Sequence, residues 1–115
     1  MDAALKAVAE PRRRDILRLV WSHELPATEI AERVGQVSRS AISQHLAVLK
    51  AAHLVVERRD GTRRLYRTDH DEMDRLRAFL DDFWTDGLDR LRAVAEAEQR
   101  RRTDDRRQDR SDTDG

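Results

Sequence analysis

The 115-residue chain contains no cysteine, which excludes disulfide scaffolds, thiolate zinc sites, iron–sulfur ligation and cysteine nucleophiles. Its apolar runs stop after a few residues, far short of the roughly 20 needed to cross a bilayer. No basic region followed by an apolar stretch opens the chain at Met1-Asp2-Ala3-Ala4, so no secretory signal is visible and a cytoplasmic protein without a membrane partner is expected. Aromatic residues make up only 4%. Net charge is also missing, with 23 Lys/Arg against 23 Asp/Glu. A nucleic-acid binder ordinarily carries a basic excess, so the sum taken alone points away from one.

The distribution says otherwise. Residues 1–68 hold 13 basic against 8 acidic side chains, a balance of +5, and residues 69–115 hold 10 against 15, a balance of −5. Between residues 38 and 67 the count is 7 basic and 2 acidic. Neutrality is thus a cancellation between a basic middle and an acidic C-terminal region. The last 17 residues, Gln99 to Gly115, carry six Arg, five Asp and no apolar side chain. Such a segment buries too little to offset its ordering entropy, so a disordered charged tail is expected over 99–115, with one domain over 1–98.

Periodicity within 1–98 predicts four helices, a hairpin and a last helix. A short amphipathic helix covers Asp2 to Ala9. Pro11 suits the first turn of a second helix, which places Ile16, Leu19 and Val20 on one face. Leu25-Pro26 interrupts the pattern, and a third helix carrying Ile30, Ala31 and Val34 stops near Gly35. Ser38 reads as an N-cap, with Val37 and Ile42 placed as a hydrophobic staple. The helix that follows turns Ile42, Leu46 and Leu49 inward. Strand-like runs at Leu54–Arg59 and Arg63–Arg67 flank Asp60-Gly61, a strong hairpin signal. A final helix repeats Met73, Leu76, Phe79, Leu80, Phe83, Trp84, Leu88 and Leu91 at threes and fours, weakened at Gly87 by roughly 1 kcal/mol relative to Ala.

This order is that of a winged helix-turn-helix, a mainly α fold with a small β-hairpin. The outward face of the fourth helix presents Arg39, Ser40, Ser43, Gln44 and His45, and no acidic residue lies between Arg39 and Ala52. A helix in the major groove needs small or planar polar groups near its N-terminus. Arg39 has the fork for guanine and Gln44 the amide for adenine, while Ser38, Ser40 and Ser43 let the backbone approach a phosphate. The plainer reading is a solvated amphipathic face; the absence of acids in a chain one-fifth acidic weighs against it. In the hairpin, a two-residue Asp60-Gly61 loop would set Arg58 opposite Arg63 and Glu57 opposite Arg64, a register that a three-residue loop including Thr62 would shift. Arg58, Arg59, Arg63, Arg64 and Arg67 then cluster where a phosphate backbone would relieve their repulsion. The plainer alternative is an edge charged against aggregation.

These segments together resemble the ArsR family of bacterial winged-helix repressors. The resemblance is carried by Ala7 through Leu17, by Glu29-Ile30-Ala31, by Ser38 through Leu49, and by Leu54-Val55 followed by Asp60 through Tyr66. It spans about residues 3–90. It implies a homodimer built from the first and last helices that binds an imperfect palindrome in double-stranded DNA. Ser43, Gln44 and His45 fall on the family's reading helix, and Arg63 and Arg64 on its wing, with Arg59 and Thr62 beside them. Two departures stand out: Ser40 where proline is frequent, and His53 where glycine usually ends the reading helix.

No cofactor or metal is expected. The family's thiolate site needs cysteine, and His70, although flanked by Asp69, Asp71 and Glu72, has no second histidine in its helix. The Phe83-Trp84 pair is similar to a branch of the family without metal ligands. Phe79, Phe83, Trp84 and Leu88 are hard to cover within one chain. Together with Leu76 they are expected to meet Leu5 and Val8 of a second copy in a dimer interface. The four histidines, His23, His45, His53 and His70, are scattered over different elements, and no catalytic constellation emerges, so no enzyme is expected. Two rivals remain: a winged-helix protein-interaction module that does not bind DNA, and a metal-responsive repressor of the same family. The inducer is unknown.

Overall fold

The computed structural model describes the backbone of residues 1–113 and the side chains of residues 1–106. The chain divides into two units, residues 1–78 and the remainder from Phe79 onward. The first unit begins with α1 (Asp2–Ala9) and α2 (Pro11–Leu19). Their junction is built by side chains. Glu10 caps α2, accepting a hydrogen bond from the Arg12 amide at 2.7 Å, and Pro11 takes the first helical position, where no amide bond is forfeited. Arg13 and Arg14 turn back onto the end of α1. Arg13 donates to the Ala7 carbonyl at 2.7 Å and the Lys6 carbonyl at 3.2 Å, and Arg14 to Val8 at 2.7 Å and Ala9 at 3.1 Å. Carbonyls that a helix end leaves orphaned are thereby satisfied by cations, as the helix dipole favours.

A two-residue strand β1 (Leu25–Pro26) leads into α3 (Ala27–Val34), and α4 (Arg39–Ala51) follows after a tight turn. Gly35 and Gln36 both adopt positive φ there, +67° and +53°, which folds α4 back onto α3. The Ser38 hydroxyl caps α4 by accepting from the Ala41 amide at 3.1 Å, as expected of a serine in that place. At the other end the His53 amide donates to Lys50 at 3.0 Å and the Leu54 amide to Leu49 at 2.9 Å. This is a Schellman closure whose left-handed residue is His53, at φ +62°.

Strands β2 (Val55–Asp60) and β3 (Arg63–Thr68) form the wing, and β1 pairs with β3 to make a three-stranded sheet of order β1-β3-β2. The third strand is too short for a sequence signal, and its Pro26 is tolerated because it lies on a sheet edge. The hairpin register also differs from the sequence expectation. The two-residue loop is Gly61-Thr62, with Asp60 opposite Arg63 and Arg59 opposite Arg64. Gly61 adopts φ +64° at the first central position, which a two-residue type II′ loop reserves for glycine.

The core gathers Ile16, Val20, Ile30, Ile42, Leu49 and Leu54, all fully buried, with Leu46, Val55 and Leu76 around them. Among the described residues, Thr68 is the buried polar one. Its hydroxyl donates to the Leu17 carbonyl at 2.9 Å and its amide to Val20 at 3.0 Å, which ties the end of the wing to α2. Leu76 belongs to this core rather than to an exposed interface, because it lies on the first turns of the last helix, within the first unit. Leu5 and Val8 are half-buried against the same core.

The last helix, α5, runs from His70 to Thr113. It starts on an Asp69 cap, whose Oδ1 accepts from the Asp71 and Glu72 amides at 3.0 and 3.3 Å. It continues through residues assigned by composition to an unstructured tail; the last two of that segment, 114 and 115, lie outside the described residues. Charge pairs one turn apart line this stretch, with Glu98 beside both Arg101 and Arg102, and such pairs support a helix without a core. The division of the chain into its two units falls after Ala78.

Candidate nucleic-acid interface

Burial of Ile42, Leu46 and Leu49 fixes the rotation of α4. The helical period then turns Arg39, Ser40, Ser43 and Gln44 outward, and all four are exposed. Ser38, also exposed, uses its hydroxyl on the cap. The first turn of α4 holds no acidic residue, so Arg39 and the positive end of the helix dipole act in the same direction. His45 departs from this group. It is half-buried, and its Nδ1 lies 3.3 Å from an Arg13 Nη1. A guanidinium only donates, so Nδ1 is the acceptor in this contact. One edge of His45 is therefore held against α2 instead of being free on the outward face.

The wing sorts its arginines into two groups. Arg58 is gripped by Glu24, Nε donating at 2.8 Å and Nη2 at 3.0 Å to the two carboxylate oxygens. This fork holds the Glu24 carboxyl below its usual value and raises Arg58, the hydrogen bond being the largest cause in both. Arg64 lies 3.4 Å from Glu57, which also accepts from Lys50 Nζ at 2.8 Å. The Lys50 hydrogen bond is the main reason the Glu57 carboxyl is held below its usual value. Among the described residues, Arg39, Arg59 and Arg63 form no ion pair and are exposed, as is Thr62 at the loop. Of the five wing arginines, Arg58 is therefore structural, Arg59, Arg63 and Arg64 are exposed cations, and Arg67, also exposed, is close enough to Glu24 to help hold its carboxyl down.

Sequence reasoning missed Glu24, and it placed Glu57 opposite Arg64 without foreseeing that it is also the acceptor of Lys50. The available signal was its position: Glu57 is one of two acids in the basic stretch from 38 to 67. It also missed the capping roles of Arg13 and Arg14. The residues weighed as a metal alternative have other uses here. Asp69 caps α5, and His70 stacks on Trp21 at 4.8 Å, its Nε2 bonded to the Trp21 carbonyl at 2.6 Å. On α5, Phe79, Phe83, Trp84 and Leu88 are exposed, Phe83 by 70% and Trp84 by 67%.

A model of bacterial regulatory proteins of the arsR family matches residues 10–56, from the Glu10 cap through α4 into β2. The HTH-type transcriptional regulator Rv2034 of Mycobacterium tuberculosis is 45% identical over 87 residues, covering 76% of this chain and 80% of that protein. The chain belongs to the ArsR family. Its winged helix-turn-helix is shared by solved relatives. A possible transcriptional regulator for arsenical resistance, 47% identical, matches with a TM-score of 0.68 over 81% of this chain and 95% of its own. The homodimeric winged helix-turn-helix DNA-binding domain of Mb0332 from Mycobacterium bovis is 33% identical, with a TM-score of 0.60 over 76% and 80%. Like its relatives in the ArsR family, the chain is a transcriptional regulator.

Proposed function

We propose that the chain is a homodimeric repressor that reads a palindromic operator in double-stranded DNA. The observation that carries this is the surface formed by α4 and the wing, where Arg39, Arg59 and Arg63 are exposed and form no ion pair among the described residues. Unpaired cations beside an acid-free helix N-terminus suit a phosphate backbone, and a protein-docking face has no need of them. In this reading Arg39 and Gln44 contact base edges, Ser38, Ser40 and Ser43 allow close approach, and Arg59, Thr62, Arg63 and Arg64 hold the flanking backbone. His45 contributes through its Nε2 edge. Dimerisation uses Phe79, Phe83, Trp84 and Leu88 of α5 with Leu5 and Val8 of α1, and a two-fold dimer sets two copies of α4 one DNA turn apart. Occupying the operator in the cytoplasm then blocks transcription, with no cofactor required.

Selection of duplexes from a randomised pool tests the proposal. An enriched inverted repeat, bound with an affinity that falls steeply with salt, is the expected result. Failure to enrich any sequence, with a salt slope near zero, refutes it.

A further inference from the structure

We propose that Glu57 is a positioning residue for DNA reading: its carboxylate locks the wing against α4 and so sets the distance between the base-reading helix and the backbone-holding hairpin. The inference rests on the DNA-binding reading above. Glu57 is, with Asp60 at the wing tip, one of two acids in the basic stretch from 38 to 67, and its side chain is only 13% exposed. Its two oxygens serve two different elements. One accepts from Lys50 Nζ at 2.8 Å, on the last turn of α4, and the other lies 3.4 Å from Arg64 Nε on β3. Arg59, two residues along the same strand face, sits directly opposite Arg64, so the carboxylate also offsets that like-charge pair. The arrangement spans a groove of about 280 Å³ between α4 and the wing, lined in part by Ser43, Ala47, Lys50, Glu57, Arg64 and Tyr66.

For adhesion to a polyanion, a carboxylate here is a liability, and an amide of the same shape would serve better. What the charge supplies is geometry. Lys50 and Arg64 are long, flexible cations, and a shared half-buried acceptor holds both in one arrangement before DNA arrives. The opposite face of the wing is braced separately by the Glu24–Arg58 fork, so releasing Glu57 frees the hairpin to swing relative to α4 without detaching it from β1. Specific binding needs helix and wing engaged together in one register. Non-specific binding does not, so the two respond differently to losing the lock.

The test compares the parent, Glu57→Gln and Glu57→Asp on a duplex selected by the parent and on a shuffled duplex of the same composition. Glu57→Gln is expected to lower the ratio of specific to non-specific affinity about tenfold and to steepen the salt slope by about 1 for each cation freed. Amide exchange of residues 55–68 in the DNA-free protein is expected to accelerate. Glu57→Asp keeps the charge but not the reach, so it should behave like the Gln variant. Affinities that rise together at a constant ratio in Glu57→Gln, or a parent-like Glu57→Asp, overturn the proposal in favour of a plain charge effect. If the parent selects no duplex, the DNA-binding reading fails and takes this inference with it. If it selects one and the ratio survives substitution, only the role of Glu57 falls.

Discussion

Replacing Arg63 and Arg58 one at a time by alanine should separate two kinds of wing arginine that the sequence does not distinguish. Arg63 is exposed and has no ion-pair partner among the described residues, whereas Arg58 is held by both oxygens of Glu24. A cation that meets DNA unpaired contributes about 0.9 to the slope of log affinity against log salt for each phosphate it neutralises. In a dimer each substitution is made twice, so Arg63→Ala should flatten the slope by about 1.8. Between 50 and 200 mM salt this shrinks the salt-driven loss of affinity by roughly twelvefold relative to the parent. Arg58→Ala should leave the slope nearly unchanged and lower the melting temperature instead, because it breaks an internal fork. Fluorescence anisotropy on a labelled selected duplex, titrated with salt, supplies the slopes. Equal flattening by both variants would refute the division.

Other expectations concern stability and assembly. His53→Gly should stabilise the fold by roughly 0.5–1 kcal/mol, since relief of a left-handed non-glycine residue exceeds the added freedom of the unfolded chain. Denaturant midpoints at unchanged slope would register the gain, and a loss of stability would contradict the φ of +62° at that position. Phe83→Glu combined with Trp84→Glu should convert a dimer to a monomer in sedimentation equilibrium while helicity is kept, because both side chains are exposed within the chain; an unaltered dimer would move the interface elsewhere. Acid should weaken the fold through Glu24 and Glu57, whose carboxyls are held below the ordinary 4.5. Groups with lowered folded-state values stabilise above the unfolded value and lose that contribution as pH falls through the folded one. Glu24→Gln should therefore flatten the melting-temperature profile below about pH 5, and a profile parallel to the parent's would count against the Arg58 fork.

Local signals carried most of the fold. The 3.6-residue period, the Ser38 cap, Pro11 and the paired β-rich runs each act over a few residues, and each lies where the structure has it. What escaped depends on long-range partners. Leu25-Pro26 is a strand only because β3 lies beside it. The hairpin loop sits one residue further along, with Asp60 opposite Arg63, and this places Gly61 where a positive φ is needed. On the site, exposure of Arg39, Ser40, Ser43 and Gln44 follows from the helix period alone. The differing fates of Arg58 and Arg63 do not, because Glu24 is 34 residues from Arg58 in sequence. Likewise His45 reads as outward by spacing, and only the arrival of Arg13 from α2 holds its Nδ1. The helix beyond residue 98 has no apolar stripe to announce it, only alternating charges such as Glu98 with Arg101 and Arg102.

A hydroxyl-radical footprint on a duplex selected by the full chain bears most directly on the proposal of a dimeric reader. Two protected blocks related by a dyad, centred about 10–10.5 base pairs apart, are expected if two copies of α4 enter successive major grooves on one side of the duplex. A single protected block, or protection spread evenly along the duplex, would contradict it.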